Sequence, residues 1–204
     1  MNLPNKLTVG RMFAILIIIV LSLIESLEKI IVIEANGFTM TLQDTLILAI
    51  FIIAAITDFL DGYIARKHNL ITNFGKFMDP LADKLLVLAA MIYLIEKGRF
   101  TAFAFNFSFV VTIILAREFA VTGMRLLAVD NNVVIAASKL GKLKTNSQML
   151  MIIILLLNCF PFTFIGSLAR DITIVVVVLL ALILTVVSGI DYFVKNKELI
   201  TSSK

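Results

Sequence analysis

Cysteine, histidine, tryptophan and proline are nearly missing from this 204-residue chain, which holds one, one, none and three of them. The single Cys159 rules out an intramolecular disulfide framework, and nothing points to an oxidising compartment. One histidine, His68, beside one cysteine leaves no ligand cluster of the kind zinc prefers. The scarcity of proline and the lack of any low-complexity tract argue against disordered tails. Charge is sparse as well: 16% of residues are Asp, Glu, Lys or Arg, where soluble domains carry about a quarter. Without tryptophan or an extended basic region, nucleic-acid binding has no support. What remains is 60% hydrophobic, with a mean hydropathy of +1.05, the balance of a polytopic membrane protein.

Apolar segments at about 6–26, 44–65, 78–97, 103–127, 143–161 and 170–193 each approach the ~20 residues that a bilayer requires of a helix. Only helices or closed barrels satisfy the backbone in lipid, and these runs are too long for barrel strands. The expected fold is therefore all-α, a polytopic bundle of six transmembrane helices forming one domain over 1–204. The connection 27–43 reads as amphipathic and interfacial. Met12–Leu23 resembles a signal-peptide core, but Glu25, Glu28 and Lys29 follow it instead of small residues, so it is expected to stay as the first helix. With the N-terminus inside, only Lys29, Lys97, Arg99 and Arg170 fall on the outer side, and the other fourteen of the 18 Lys and Arg residues fall on the inner. That asymmetry puts both termini and the inner loops in the cytoplasm.

Against this background the acids stand out. Asp58 and Asp61 are three apart at the inner end of span two, and Asp79 and Asp83 are four apart at the start of span three, so each pair shares a helical face. A charged group at mid-bilayer costs roughly 2.5–3.5 kcal/mol on insertion scales, which makes such residues functional by default. Four clustered carboxylates require cations, since like charges raise one another's pKa. Oxygen-only ligands suit hard divalent ions such as Mg²⁺ or Mn²⁺, and two ions would neutralise four acids while keeping positions for substrate phosphates. Gly62 and Ala65 let a phosphorylated ligand approach the helix closely. The bland alternative, capping of helix ends or pairing with Arg66, Lys67, Lys76 and Lys84, suits a single Asp better than two spaced pairs.

Read together, Asp58-x2-Asp61-Gly62-x2-Ala65-Arg66-x8-Gly75-x3-Asp79-x3-Asp83 resembles the full signature of the CDP-alcohol phosphotransferases. The resemblance implies a six-helix membrane enzyme, usually a homodimer, with a cavity open to the cytoplasm, in which an alcohol displaces CMP from a CDP-linked donor. It further implies that Asp58, Asp61, Asp79 and Asp83 hold the metals and that Asp83 doubles as general base. Gly62, Ala65, Arg66 and Gly75 would lie against the CDP. The opening Pro4-Asn5-Lys-Leu-Thr8-Val-Gly-Arg11 resembles a segment that lies beside the nucleotide in the branch of the family that makes phosphatidylglycerophosphate. Asn5 and Thr8 are thus candidates for contacts to cytidine or phosphate, or else caps of the first helix.

The stretches Ala116-Arg117-Glu118-Phe119-Ala-Val-Thr-Gly123-Met-Arg125 and Leu140-Gly141-Lys142-Leu-Lys144-Thr145 resemble the same branch, whose substrates are CDP-diacylglycerol and sn-glycerol 3-phosphate. Arg suits phosphate through its planar fork and Lys through a point charge, so Arg117, Arg125, Lys142 and Lys144 are candidates for the acceptor phosphate. Their alternative role is to obey the positive-inside rule and to meet anionic lipid, the role preferred for Lys139, Lys195, Lys197 and Lys204. His68 reads as interfacial, and Phe100, Phe103, Phe105, Phe107 and Phe109 as an outer aromatic belt. Other acceptors would make the chain a cardiolipin or phosphatidylinositol-phosphate synthase. A transporter of Mg²⁺ or protons would instead need acids near the bilayer midplane and repeated halves.

Overall fold

The computed structural model describes residues 3–35, 37–67, 73–130 and 138–197. Six long helices dominate: α1 (Leu3–Ser22), α3 (Leu42–Lys67), α4 (Asn73–Glu96), α5 (Phe109–Asp130), α6 (Lys139–Leu156) and α7 (Ser167–Lys195). A four-residue helix α2 (Glu25–Glu28) and a 3₁₀ turn (Phe162–Phe164) complete the helical elements among the described residues. Among the described residues two helices, α1 over Asn5–Ser22 and α7 over Ser167–Lys195, are long and apolar enough to cross a membrane, with mean hydropathies of 1.7 and 3.0. Ile183, Ile190 and Val194 of α7 turn outward uncovered, as a face meant for hydrocarbon does.

The helices overlap the six apolar segments, but several boundaries move and two hairpins appear. The connection expected to be interfacial contains strands β1 (Ile31–Ala35) and β2 (Phe38–Thr41), paired antiparallel from Ala35↔Phe38 to Ile31↔Thr41. Gly37 takes φ +80 at their turn, a conformation glycine adopts without steric cost. A second hairpin, β3 (Thr101–Ala102) and β4 (Phe105–Asn106), occupies residues expected to open the fourth span, so α5 starts only at Phe109. Its turn residues Phe103 and Ala104 both have positive φ, and the Phe103 amide donates to Asp171 Oδ2 at 3.0 Å. Of the aromatic belt, Phe100 is buried, while Phe103, Phe105 and Phe109 are exposed. Helix α6 ends at Leu156, before residue 161, where Asn158 and Cys159 turn left-handed ahead of Pro161.

The chain divides into two compact units, residues 1–99 with 152–167, and residues 100–151 with 168–204. In the first, α1 packs along both α3 and α4, and α3 packs on α4. Helix α3 opens with a capping box: Asp44 N donates to Thr41 Oγ1 at 3.1 Å, and Thr41 N donates back to Asp44 Oδ2 at 3.3 Å. The buried Gln43 amide donates to the carbonyls of Leu21, Ser22 and Ile24 at 2.7, 3.1 and 3.4 Å, capping the end of α1. In the second unit, Ser138 caps α6 by accepting from the Gly141 amide at 3.0 Å. A Cβ on Gly141 would come within 3.2 Å of that Ser138 hydroxyl.

Candidate active site

Asn5, Thr8 and Arg11 recur every third residue on α1 and therefore share one face. All three are buried, at 9%, 1% and 2% exposure. Two of them reach the acids directly. Arg11 Nη1 lies 2.6 Å from Asp58 Oδ1 on α3, and Thr8 Oγ1 donates to Asp79 Oδ1 on α4 at 2.5 Å. One face of α1 thus gathers a carboxylate from each of the two helices it packs against. Asp58 and Asp79 also lie within electrostatic range of each other. Both Asn5 and Thr8 sit inside α1, so neither caps it.

The pair Arg11–Asp58 is lopsided: the arginine side chain is fully buried, while that of Asp58 is 39% exposed. Asp79 and Asp83 are half-buried, one turn apart on α4, and Gly75 is buried one turn before them. Asp58 and Asp79 each spend Oδ1 on α1, and the Oδ2 atom of each makes no hydrogen bond among the described residues. Asp61, Gly62, Ala65 and Arg66 continue α3, but their side chains, like residue His68, lie outside the described residues. Among the described residues no three His, Cys, Asp or Glu side chains converge tightly enough to hold a metal ion. The donor set nevertheless fits a hard cation: oxygen only, two open carboxylate oxygens on facing helices, and a third acid one turn along.

The basic candidates belong to the second unit and separate by burial. The Arg117 and Lys144 side chains are 13% and 5% exposed, and both contact Glu118 Oε1, Arg117 at 3.4 Å and Lys144 in a closer ion pair. Arg117 Nη2 donates to Ser188 Oγ on α7 at 3.2 Å. Arg125 and Lys142 are exposed, and the Arg125 guanidinium lies 5.9 Å from the centre of the Tyr192 ring. The sequence offers Glu118 as a structural partner of Arg117, which the 3.4 Å contact matches, but it does not single out Ser188 or Gly189. Nor does it single out Arg11 as a partner of Asp58, although its three-residue spacing from Thr8 and Asn5 in an apolar helix is a visible signal.

Comparison with known proteins adds family evidence. The chain matches the model of the CDP-alcohol phosphatidyltransferase family over residues 1–188, which includes the four aspartates and the basic candidates of this site. It is similar to a Bacillus subtilis (strain 168) protein named CDP-diacylglycerol–glycerol-3-phosphate 3-phosphatidyltransferase, with 42% identity over 203 residues, 99% of this chain and 98% of that one. Proteins of the same name from Rickettsia typhi (strain ATCC VR-144 / Wilmington) and Mycoplasma pneumoniae (strain ATCC 29342 / M129 / Subtype 1) are 38% and 40% identical. The first match covers 94% of this chain and 95% of the relative, the second 80% and 70%.

Proposed function

The chain belongs to the CDP-alcohol phosphatidyltransferase family, and on that premise we propose that it transfers the phosphatidyl group of CDP-diacylglycerol to sn-glycerol 3-phosphate, releasing CMP. The names of full-length relatives support the two substrates. The observation that carries the chemistry is the convergence of Asp58 and Asp79 on one face of α1, with oxygen atoms to spare.

Asp58, Asp61, Asp79 and Asp83 would hold one or two Mg²⁺ or Mn²⁺ ions. Such ions, when bound, offset charge on the pyrophosphate and on the departing CMP. Arg11 and Thr8 fix the rotamers of Asp58 and Asp79, so that the acids meet a cation without first being ordered. Asp83 takes the proton of the glycerol hydroxyl as its oxygen bonds to the β-phosphorus, and the bond from that phosphorus to the oxygen of CMP breaks. One displacement inverts the phosphorus. Retention of configuration would instead require a covalent enzyme intermediate and would sink this step.

Asn5, Gly62, Ala65, Arg66 and Gly75 would line the CDP, with Thr8 acting through Asp79. Arg117 and Arg125, with Lys142 and Lys144, would meet the acceptor phosphate, since an uncharged acceptor has no use for such a group. All six long helices would cross the bacterial cell membrane, with both termini and the acids on the cytoplasmic side, in a homodimer embedded in membrane lipid. Purified protein supplied with Mg²⁺, CDP-diacylglycerol and competing acceptors tests the proposal through CMP release and the identity of the lipid product. Phosphatidylglycerophosphate is expected. Cardiolipin or an inositol phospholipid as the main product would overturn the acceptor assignment but leave the family intact.

A further inference from the structure

We propose that Ser188 and Gly189 of α7 form a seat that positions Arg117 for the phosphate of the acceptor. The proposal rests on the assignment of Arg117 to that phosphate. Arg117 follows the apolar run Phe109–Ala116 on α5, and its side chain is largely buried. Its stem lies over α7 where there is no side chain to displace it: a Cβ on Gly189 would stand 3.1 Å from Arg117 Cγ and 3.7 Å from Nε. A contact of 3.1 Å to a Cβ is tighter than nine in ten real ones, so a larger residue at 189 makes the arginine give way by a few tenths of an ångström. Gly189 is buried within a helix whose φ any residue could adopt, so close approach accounts for it.

The adjacent serine sets the direction of the guanidinium. Ser188 is 1% exposed, and its hydroxyl donates to the Thr185 carbonyl at 3.1 Å. With its proton so committed, the oxygen turns a lone pair to Arg117 Nη2. A neutral acceptor orients the cation without cancelling its charge, which a carboxylate at 188 would do. Among the described residues Nη1 has only the long 3.4 Å contact to Glu118. Nε is buried and makes no hydrogen bond among the described residues. A buried donor left in this way calls for an acceptor, and a phosphate oxygen is the strongest acceptor that this reaction offers.

Steady-state kinetics of the purified enzyme, with the concentrations of glycerol 3-phosphate and CDP-diacylglycerol varied separately, test the seat. Gly189→Ala and Ser188→Ala should each raise KM for glycerol 3-phosphate about tenfold, given that misplacement by 1 Å costs about a hundredfold. KM for CDP-diacylglycerol should not move, and Ser188→Thr, which keeps the hydroxyl, should restore the acceptor KM. The Tm of Gly189→Ala should not fall, because alanine is the better helix former. A loss of stability with both KM values unchanged would mark the glycine as mere packing and overturn the seat. Arg117→Gln separates the two levels. If it raises the acceptor KM while both seat variants leave it alone, the seat is wrong. If Arg117→Gln itself leaves that KM unchanged, the phosphate assignment fails and the seat fails with it.

Discussion

Helix α3 carries two arginine–aspartate pairs, Arg99–Asp44 near its start and Arg11–Asp58 near its end, 14 residues and about 21 Å apart along the axis. Their burial is opposite. Asp44 is 2% exposed, and its carboxylate accepts from Tyr93 Oη at 2.7 Å, Arg99 Nη2 at 2.9 Å and Thr41 Oγ1 at 3.0 Å. In the other pair the arginine is sealed in and the acid faces out. An acid whose lone pairs are filled by its own chain is structural. One that is held at a single oxygen, with the other open, is set up for a ligand. On the proposed function, the same residue pair on one helix would thus serve stability at one end and chemistry at the other.

The largest effect expected from breaking this contrast comes at the open acid. Asp58→Asn should reduce CMP release to background even per folded molecule, with some loss of Tm because Arg11 stays buried beside it, and a chelator should silence release reversibly. Asp44→Asn should behave in the opposite way, losing about 3 kcal/mol of stability by thermal unfolding while turnover per folded molecule persists. Equal loss of activity in both, at equal stability, would erase the distinction. Next in size, Arg11→Gln should lower activity and Mn²⁺ affinity about 10- to 100-fold, as loss of a residue that orients a ligand does. Thr8→Val should cost about tenfold on the same readouts. Smallest of all, Lys195→Ala removes a 66%-exposed cation from a surface pair with Asp191 and should leave both rate and Tm unaltered.

How far the sequence could be read depended on what each feature needs. The long helices were legible because runs such as Ile172–Gly189 are apolar on every face, a pattern that needs no partner to interpret. The hairpin strands over 31–35 and 38–41 have a mark of their own, Asn36-Gly37 between alternating apolar residues, which the amphipathic character of the whole connection hides. The turn at Phe103-Ala104 has no such mark: neither residue favours positive φ, and Asp171, 68 positions away, supplies the hydrogen bond that supports it. In the site, the aspartates were visible from spacing alone. Which cation meets which acid was not, since Arg11 is 47 residues from Asp58 and only the packing of α1 on α3 joins them. Ser188 and Gly189 are silent for a related reason, because two small residues in an apolar helix have no meaning until a long side chain lies across them.

Helix α1 is fastened at two levels, by Thr8 and Arg11 toward its start and by the Gln43 amide under its final carbonyls. Its length between those points is therefore a fixed gauge. One residue inserted between Arg11 and Leu21 would advance the near end by about 1.5 Å and swing it through about 100°. Either the Gln43 clasp or the grip on Asp58 and Asp79 would then have to open. Point changes along that stretch should be absorbed far more readily than any change in its count.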